Sequence, residues 1–425
     1  MKSEKKYVNM LDRALKIEDW AEKHFIDPNC VVYSLLDKQT EGPITDSFYR
    51  ADDNPFTVPG FSPAEFANYE NCGMTTGAYL QGQLYHYAVD KDPQNLKNAQ
   101  RCFNGLKYIY NMGKQLDEGF FPKIYGNRFT AQTSTDQVLY AVMGMDHYYQ
   151  YADKAEKADI DRMITAMIRF WVKRDYRYKY YTIENMQWPL GRFPSLLLLA
   201  FRHSGDPVFK DEYNRLLAMG LNEFPVEEQL RPKLNNMVQP MPYERKMHAW
   251  LISHMADAVT METMELDFLM ANDKNNPVAA NWKRSIDQMW HEAILTLSPD
   301  GKMYQHTLVD MDTKEVRRPE PEIFTEEIGL LDWPGFRHIS GAKTGWSTMV
   351  ARAGVQAYRH LKDDSMLPVI ANILSGVDLD GLTYCDDPER LLPQIRHQTR
   401  YYSGDAMANW LWAYWQGRYD GIITA

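Results

Sequence analysis

The sequence predicts an all-α fold in which two concentric layers of helices close into a barrel. Three observations predict it. Apolar residues recur with a helical period along most of the 425 residues. Two kinds of helix alternate, one rich in small and aromatic residues and one amphipathic with a charged face. The alternation recurs about six times at a quasi-period of roughly 50–60 residues, with one longer interval, which is typical of a repeat architecture.

The first predicted element is a helix over about residues 4–25. Its apolar face consists of Tyr7, Leu11, Ala14, Leu15 and Ala21. Residues 27–68 are polar and proline-rich, and we interpret them as a long ordered loop. Five pairs follow, each an inner helix and then an outer helix: 73–90 with 93–113, 135–152 with 155–174, 194–203 with 207–219, 243–262 with 276–297, and 346–361 with 364–376. A last inner helix over about 403–417 pairs with the N-terminal helix and closes the ring.

The longer interval between the fourth and fifth inner helices holds an insertion of about 298–343. A turn signal followed by loose alternation predicts a short β-hairpin near 302–309. Another small strand is predicted within 120–125, in a loop that precedes an inner helix. Since no segment has the composition of an interdomain linker, we predict a single barrel domain over 1–425.

The charge and hydropathy of the chain exclude several classes of protein. The net charge is -10 and no long basic run is present, which disfavours nucleic-acid binding and a general affinity for anionic membranes. Mean hydropathy is -0.52, and no apolar run approaches the roughly 20 residues of a membrane span. The N-terminus has no apolar signal-type segment, so we expect a cytoplasmic protein, or a periplasmic or secreted one whose signal peptide was removed.

The cysteine content and the aromatic content of the chain answer two separate questions, whether it has a metal site and what kind of ligand it binds. The four cysteines are far apart and lack metal-site spacing, so we expect reduced, buried thiols and no metal site. Aromatic residues make up 13% of the chain. Tyr and Trp have flat apolar faces with a polar edge, which match the C–H faces and hydroxyl rims of sugars. This composition indicates carbohydrate binding.

The chemistry-bearing residues concentrate where inner helices begin. In a closed ring these starts share one rim, where longer loops and partially positive helix N-termini meet. Acids, bases and aromatics occur at each of the six starts, in the segments 69–77, 132–137, 188–194, 242–248, 343–347 and 400–405. Outer-helix starts lack that density. The rim is therefore the predicted functional site, and its positive helix ends favour an anionic sugar such as a uronate.

Two of these segments resemble a known group of enzymes. The segment Glu70–Leu80 and the segment Thr133–Gln137 resemble the six-hairpin glycosidase superfamily, whose fold is an (α/α)6 toroid. That group includes unsaturated glucuronyl hydrolases, other uronidases and related polysaccharide lyases. The helix layout is also similar to that of N-acylglucosamine 2-epimerases. The resemblance implies a glycoside hydrolase in which an Asp at an inner-helix start supplies the proton, and Asp136 stands at that place.

The predicted catalytic pair is Asp136 with Glu70. Glycoside cleavage needs a proton donor for the leaving oxygen and a second carboxylate for water or the sugar cation. Asp136 is either the proton donor or only the cap of its helix. Ser134 and Thr135 are the other candidates for that cap. Glu70 is the second carboxylate, a ligand for a sugar hydroxyl, or one half of a loop ion pair. Asp405 is a weaker carboxylate candidate.

The remaining candidates bind substrate. A guanidinium fork matches a carboxylate, so Arg192 and Arg245 are candidate uronate clamps, although either can instead pair with an acid. Glu244 is a weak carboxylate candidate that can also pair with Arg245. His248 is a proton shuttle, a hydroxyl ligand or a core histidine. Candidate stacking platforms, which can equally be core residues, are Trp188, Tyr243, Trp346 and Tyr402.

The sequence thus predicts an oligosaccharide hydrolase that needs no cofactor. A polysaccharide lyase is the first alternative, with Arg192 or Arg245 neutralising a uronate and Tyr243, Tyr402 or His248 as the base. A sugar 2-epimerase and a non-catalytic sugar-binding toroid are further alternatives. The sugar, the linkage and the oligomeric state do not follow from the sequence.

Overall fold

A computed structural model describes residues 4–424, except 181–182, 189, 220–246, 276–278, 300, 302, 304–305, 311–315, 318–343, 387, 389–390 and 392. Its helices are α1 (Glu4–His24), α2 (Pro63–Tyr69), α3 (Cys72–Asp90), α4 (Pro93–Gly113), α5 (Thr135–Tyr148), α6 (Lys154–Val172), α7 (Phe193–Ser204), α8 (Pro207–Ala218), α9 (Ile252–Asn272), α10 (Ala279–Ala293), α11 (Thr344–Leu361), α12 (Met366–Gly376) and α13 (Gly404–Tyr419). The predicted all-α class is confirmed.

The inner helices form a closed ring. Helix α3 packs against α5, and contacts continue from α5 to α7, α9, α11 and α13, which packs back against α3. Each inner helix also packs against the outer helix that follows it, and α1 packs against α13. The N-terminal helix therefore completes the outer layer, as the repeat pattern predicted.

Short polar caps set where these helices begin. Asp92, Asp153 and Asp206 each cap an outer helix by accepting a backbone N–H bond from its first turn. Ser134 caps α5 and Ser403 caps α13 in the same way. The carboxylate of Asp136 is thus not needed as a cap, which removes one interpretation that the sequence left open.

Helix α1 buries a face slightly rotated from the predicted one. Its buried residues include Met10, Ala14, Ile17 and Ala21, whereas Leu11 and Leu15 are exposed by 38% and 46%. An outer helix contacts the inner layer along a narrow stripe only. The apolar face predicted for α1 is wider than that stripe, so Leu11 and Leu15 lie outside it.

Several short strands precede inner helices. They are β1 (Leu35–Asp37), β2 (Ile124–Tyr125), β3 (Arg128–Phe129), β4 (Arg177–Tyr180), β5 (Ile183–Gln187), β6 (Met247–Leu251), β7 (His306–Asp310), β8 (Val316–Arg317) and β9 (Tyr401–Ser403). The pairs β1–β9, β2–β3 and β4–β5 and the sheet β6–β7–β8 are all antiparallel. They build the rim at which inner helices start.

Two predicted segments differ from the structure. The predicted helix 243–262 is wrong at its start, because Met247–Leu251 is a strand whose backbone pairs with His306–Asp310, and the helix begins at Ile252. The proline-rich segment 27–68, predicted to be a loop, contains β1 and the first part of α2. Within the described ranges, no helix combines the length and apolar character that crossing a membrane requires.

Candidate active site

The starts of three inner helices meet at the rim. Gln137, in the first turn of α5, donates a side-chain hydrogen bond to the backbone carbonyl of Glu70 at 2.7 Å. Asn71, next in the chain, donates from Nδ2 to the Asp405 carboxylate in the first turn of α13 at 3.3 Å. Three candidate carboxylates, Glu70, Asp136 and Asp405, are therefore carried by elements that contact one another.

Asp136 forms an ion pair with Arg192, the residue that immediately precedes α7. The Arg192 side chain is 2% exposed, whereas that of Asp136 is 23% exposed. Arg192 also donates to Thr135 Oγ1 at 3.3 Å. The structure thus joins the predicted acid to a predicted uronate clamp and leaves the carboxylate partly accessible to solvent.

The electrostatics of this pair favour an ionised carboxylate. Burial lowers the pKa of Arg192 to about 10, and the nearby Asp257 carboxylate opposes that shift. The guanidinium therefore stays a cation at neutral pH. A cation in contact with Asp136 favours its ionised form, and so does its place in the first turn of a helix. Ionised Asp136 is suited to accept a proton or to stabilise a sugar cation.

Glu70 is held by two donors. It pairs with the buried Lys123, and it accepts a hydrogen bond from the Tyr125 hydroxyl at 2.8 Å. Burial, and then the Glu70 carboxylate, raise the pKa of Tyr125, so this hydroxyl stays protonated and donates. The ion pair that the sequence left open for Glu70 is present, and its carboxylate is 17% exposed.

The candidate aromatic residues occupy different environments. Trp188 is buried, with its ring 5.5 Å from Trp171 and 5.3 Å from Tyr180, so its ring belongs to the core. Tyr402 is also buried, with its ring edge-on to Trp20 at 4.8 Å. Trp346, in the first turn of α11, is half-buried against the core and keeps part of its surface exposed.

Some candidates lie outside the described residues. These are Tyr243, Glu244 and Arg245. The backbone of His248 lies on β6 opposite Val309, and its side chain is outside the described part. For these four residues, the roles predicted above stay predictions.

A buried polar cluster beneath the rim was missed by the sequence analysis. Arg352 on α11 pairs with Asp257 on α9 at 3.1 Å and donates to Asn409 on α13 at 2.7 Å. Tyr140 on α5 donates to the same Asp257 oxygen at 2.7 Å. The Arg352 guanidinium also lies 4.8 Å from the Trp412 ring centroid. The sequence did contain a signal for this cluster. Asp257 and Arg352 are charged residues that interrupt runs of small and apolar residues on inner helices.

This cluster supports the rim from below. Asn409 donates a hydrogen bond to the backbone carbonyl of Asp405 at 3.0 Å, one turn nearer the rim. Tyr140 lies one turn below Asp136 on α5. The cluster therefore fixes the helices that carry two candidate carboxylates, and it fills the barrel axis with a neutralised ion pair.

One group of possible metal ligands occurs in the described part of the chain, away from the rim. Asp287 and His291 on α10 and Asp363 after α11 place ligand atoms within 4.8 Å of one another. They lie on the outer layer and are partly or fully exposed. The rim itself offers carboxylates that are already paired with Arg192 and Lys123.

Comparisons with known proteins agree on the architecture. No protein-family model and no curated protein sequence matches the chain. The cellobiose 2-epimerase from Spirochaeta thermophila aligns at 9% identity with a TM-score of 0.55, covering 98% of each chain. The unsaturated glucuronyl hydrolase from Bacillus sp. GL1, responsible for glycosaminoglycan degradation, aligns at 11% identity with a TM-score of 0.52, covering 97% of this chain and 96% of that one. A D-mannose isomerase aligns at 9% identity with a TM-score of 0.54, covering 97% of each chain.

Such low identities show the fold. The matches extend over the whole barrel and include hydrolases and epimerases alike, which agrees with the ring of inner and outer helices described above. The chain is an (α/α)6 toroid with the architecture of the six-hairpin glycosidases and of the sugar epimerases that share their barrel.

Proposed function

We propose that the chain is a carbohydrate-active enzyme that hydrolyses a short oligosaccharide containing a uronate, with Asp136 as its general acid or base. One observation carries the proposal. Asp136 is a partly exposed carboxylate at the start of an inner helix, in contact with a buried guanidinium and not used as a helix cap. Structures with this fold include an unsaturated glucuronyl hydrolase, which supports the substrate class.

The proposed reaction needs only water and the rim carboxylates. The bond between the anomeric carbon and the leaving oxygen breaks, the leaving oxygen gains a proton, and water supplies a hydroxyl to the sugar. In its ionised form, paired with Arg192, Asp136 takes a proton from the attacking water and passes it to the leaving oxygen. Glu70, held by Lys123 and Tyr125, stabilises positive charge on the sugar or binds a hydroxyl.

Uronate recognition involves Arg192 in competition with Asp136. A substrate carboxylate that reaches the guanidinium draws it away from Asp136, which then loses the contact that favours its ionised form. The same step would prepare Asp136 to hold a proton for the leaving oxygen. Arg245 remains the second candidate clamp.

A sugar epimerase is the second candidate function. Its support is that two cellobiose 2-epimerases are among the structures with this fold. For the lyase alternative, burial raises the pKa of Tyr402, so the hydroxyl of this candidate base stays protonated at neutral pH. The other two candidate bases, Tyr243 and the side chain of His248, lie outside the described residues. A non-catalytic sugar-binding toroid predicts binding without any product.

Product analysis separates these functions. Acidic oligosaccharides, some ending in an unsaturated uronate, are incubated with the protein and examined by mass spectrometry and ultraviolet absorbance. Hydrolysis gives products that together gain one water, with no gain of absorbance. Fragments without added water but with new absorbance indicate a lyase. An unchanged mass with altered sugar stereochemistry indicates an epimerase and contradicts the proposal, as does the absence of any product across the panel.

A further inference from the structure

A cavity lies at the mouth of the barrel opposite the rim. Its volume is about 440 Å³, within the range of roughly 300–1,000 Å³ that is typical of small-molecule sites. All six inner helices line it with residues from their C-terminal halves, among them Tyr85, His147, Arg202, Asp267, Arg359 and Gln416. We call this cavity the lower pocket.

The lower pocket is separate from the rim. Trp412 lines it, and the Arg352 guanidinium lies 4.8 Å from the Trp412 ring. Arg352 belongs to the buried cluster with Asp257 that fills the barrel axis below Asp136. The Trp412 ring and this cluster therefore stand between the two ends of the barrel, and a ligand of the lower pocket does not touch the rim carboxylates.

The hydrogen bonds of His147, which lines the lower pocket, define which nitrogen of its imidazole ring carries the proton. Gln81 donates from Nε2 to the Met143 carbonyl at 2.9 Å, which turns its amide oxygen toward His147 Nδ1 at 2.6 Å. Nδ1 must therefore carry the proton and donate it to Gln81. Burial lowers the pKa of His147 to about 4, so the ring is neutral at pH 7. Its Nε2, without a hydrogen-bond partner in the described part of the chain, can accept one from a ligand.

Among the described residues, each of the three carboxylates that line the lower pocket already has a partner in the protein. Asp161 contacts His203 at 2.7 Å and accepts a hydrogen bond from the Tyr149 hydroxyl at 3.3 Å. Asp146 pairs with Arg202, and it also contacts His203 at 2.9 Å. Asp267 pairs in the same way with Arg359, and it contacts His360 at 3.1 Å. An ionic ligand of either sign would have to break one of these pairs at a desolvation cost. A neutral ligand that both donates and accepts hydrogen bonds can bind without breaking an ion pair.

The other lining groups suit hydroxyls and a sugar-like ring. Amides line the cavity at Gln81, Gln150, Gln356 and Gln416, and an amide both donates and accepts. Aromatic rings line it at Tyr85, Tyr149 and Trp412, and they offer faces to apolar C–H groups.

We propose that the lower pocket is a second ligand site that binds a neutral polyhydroxylated molecule of monosaccharide size. The site does not depend on the reaction proposed for the rim. It stands on the cavity, on lining carboxylates that already have partners in the protein, and on the accepting nitrogen of His147.

Isothermal titration calorimetry with D-glucose tests the site, with D-glucuronate and D-glucosamine as charged probes of the same ring size. Met264→Trp fills the cavity without removing any hydrogen bond, because Met264 lines it through an apolar side chain. His147→Asn keeps a donor for Gln81 and removes Nε2. Asp136→Asn alters only the rim. A thermal melt confirms that each variant is folded.

We expect D-glucose to bind the wild type and Asp136→Asn with equal affinity, at least tenfold more tightly than either charged probe. Met264→Trp should abolish this binding, and His147→Asn should weaken it at least fivefold. The inference is overturned if D-glucose shows no saturable binding at millimolar concentrations, if Met264→Trp binds it normally, or if a charged probe binds the pocket more tightly. Loss of binding in Asp136→Asn would place the sugar at the rim and also overturn it.

Discussion

At the residue scale, the candidate site depends on the contact between Asp136 and Arg192. Each stands at an inner-helix start, where polar residues are conspicuous. Their pairing depends on how α5 and α7 sit side by side, which no local pattern encodes. The capping alternative for Asp136 was decided by Ser134, whose hydroxyl accepts the Gln137 N–H. Local spacing allowed either residue to take that role.

Arg192→Met should destabilise the fold by removing the buried partner of Asp136. Breaking a buried pair costs about 3–5 kcal/mol, and we expect the lower end because Asp136 is 23% exposed. Urea unfolding measures the change. The matched control is Arg169→Met, which removes a more exposed pair with Asp206 and should cost less than about 1 kcal/mol. Equal costs for the two variants would contradict this reading of the site.

His147 should make stability dependent on pH. Its folded pKa of about 4 is lower than its ordinary value of 6.5. The unfolded chain therefore binds the proton first as the pH falls. Stability should decrease between about pH 6.5 and 4, by about 3 kcal/mol in all. Denaturant unfolding across this range measures it. His147→Asn should flatten this part of the profile, and an unchanged slope in that variant would assign the effect to other groups.

At the element scale, the helices were predictable because their signals are local. Asp92 followed by Pro93 and Asp206 followed by Pro207 mark outer-helix starts within a few residues. The prediction of a helix at Met247–Leu251 is wrong because of a long-range contact. That segment is apolar enough for a helix, and it becomes a strand because His306–Asp310 pairs with it. Residues 220–246, which include three candidate site residues, lie outside the described ranges.

Glycines on α3 report how closely inner helices pack. A Cβ on Gly77 would overlap the Tyr140 carbonyl of α5, whereas one on Gly82 would meet its nearest neighbour, Leu411, at 3.4 Å. Gly77→Ala should therefore cost about 2–3 kcal/mol through overpacking. Gly82→Ala should stay within about 1 kcal/mol of the wild type, because the gain in helix propensity offsets the tight contact. Thermal melts of the two variants measure this, and similar melting temperatures would contradict the packing described.

At the scale of the whole molecule, periodicity predicted the ring, because six repeats of two helix kinds leave few other ways to bury their apolar faces. The two ends of the barrel differ in a way that periodicity does not show. The rim carries Asp136 and Glu70, and the other mouth carries the lower pocket around His147. Arg352 and Asp257 occupy the axis between them, and their pairing needs the closed ring.

The measurement that tests the account most directly compares three proteins on one substrate, an oligosaccharide ending in an unsaturated uronate. They are the wild type, Asp136→Asn and Asp153→Asn. Asp153 caps the outer helix α6, where Asn is an equivalent cap, so it controls for the substitution itself. We predict wild-type hydrolysis in Asp153→Asn. In Asp136→Asn we predict a loss of about 10²–10⁴ in kcat, the range expected for a general acid or base. Because Asp136→Asn also leaves the buried Arg192 without its partner, its melting temperature should decrease, and activity is compared at a temperature at which a thermal melt shows all three proteins folded. Wild-type turnover in Asp136→Asn would contradict the account.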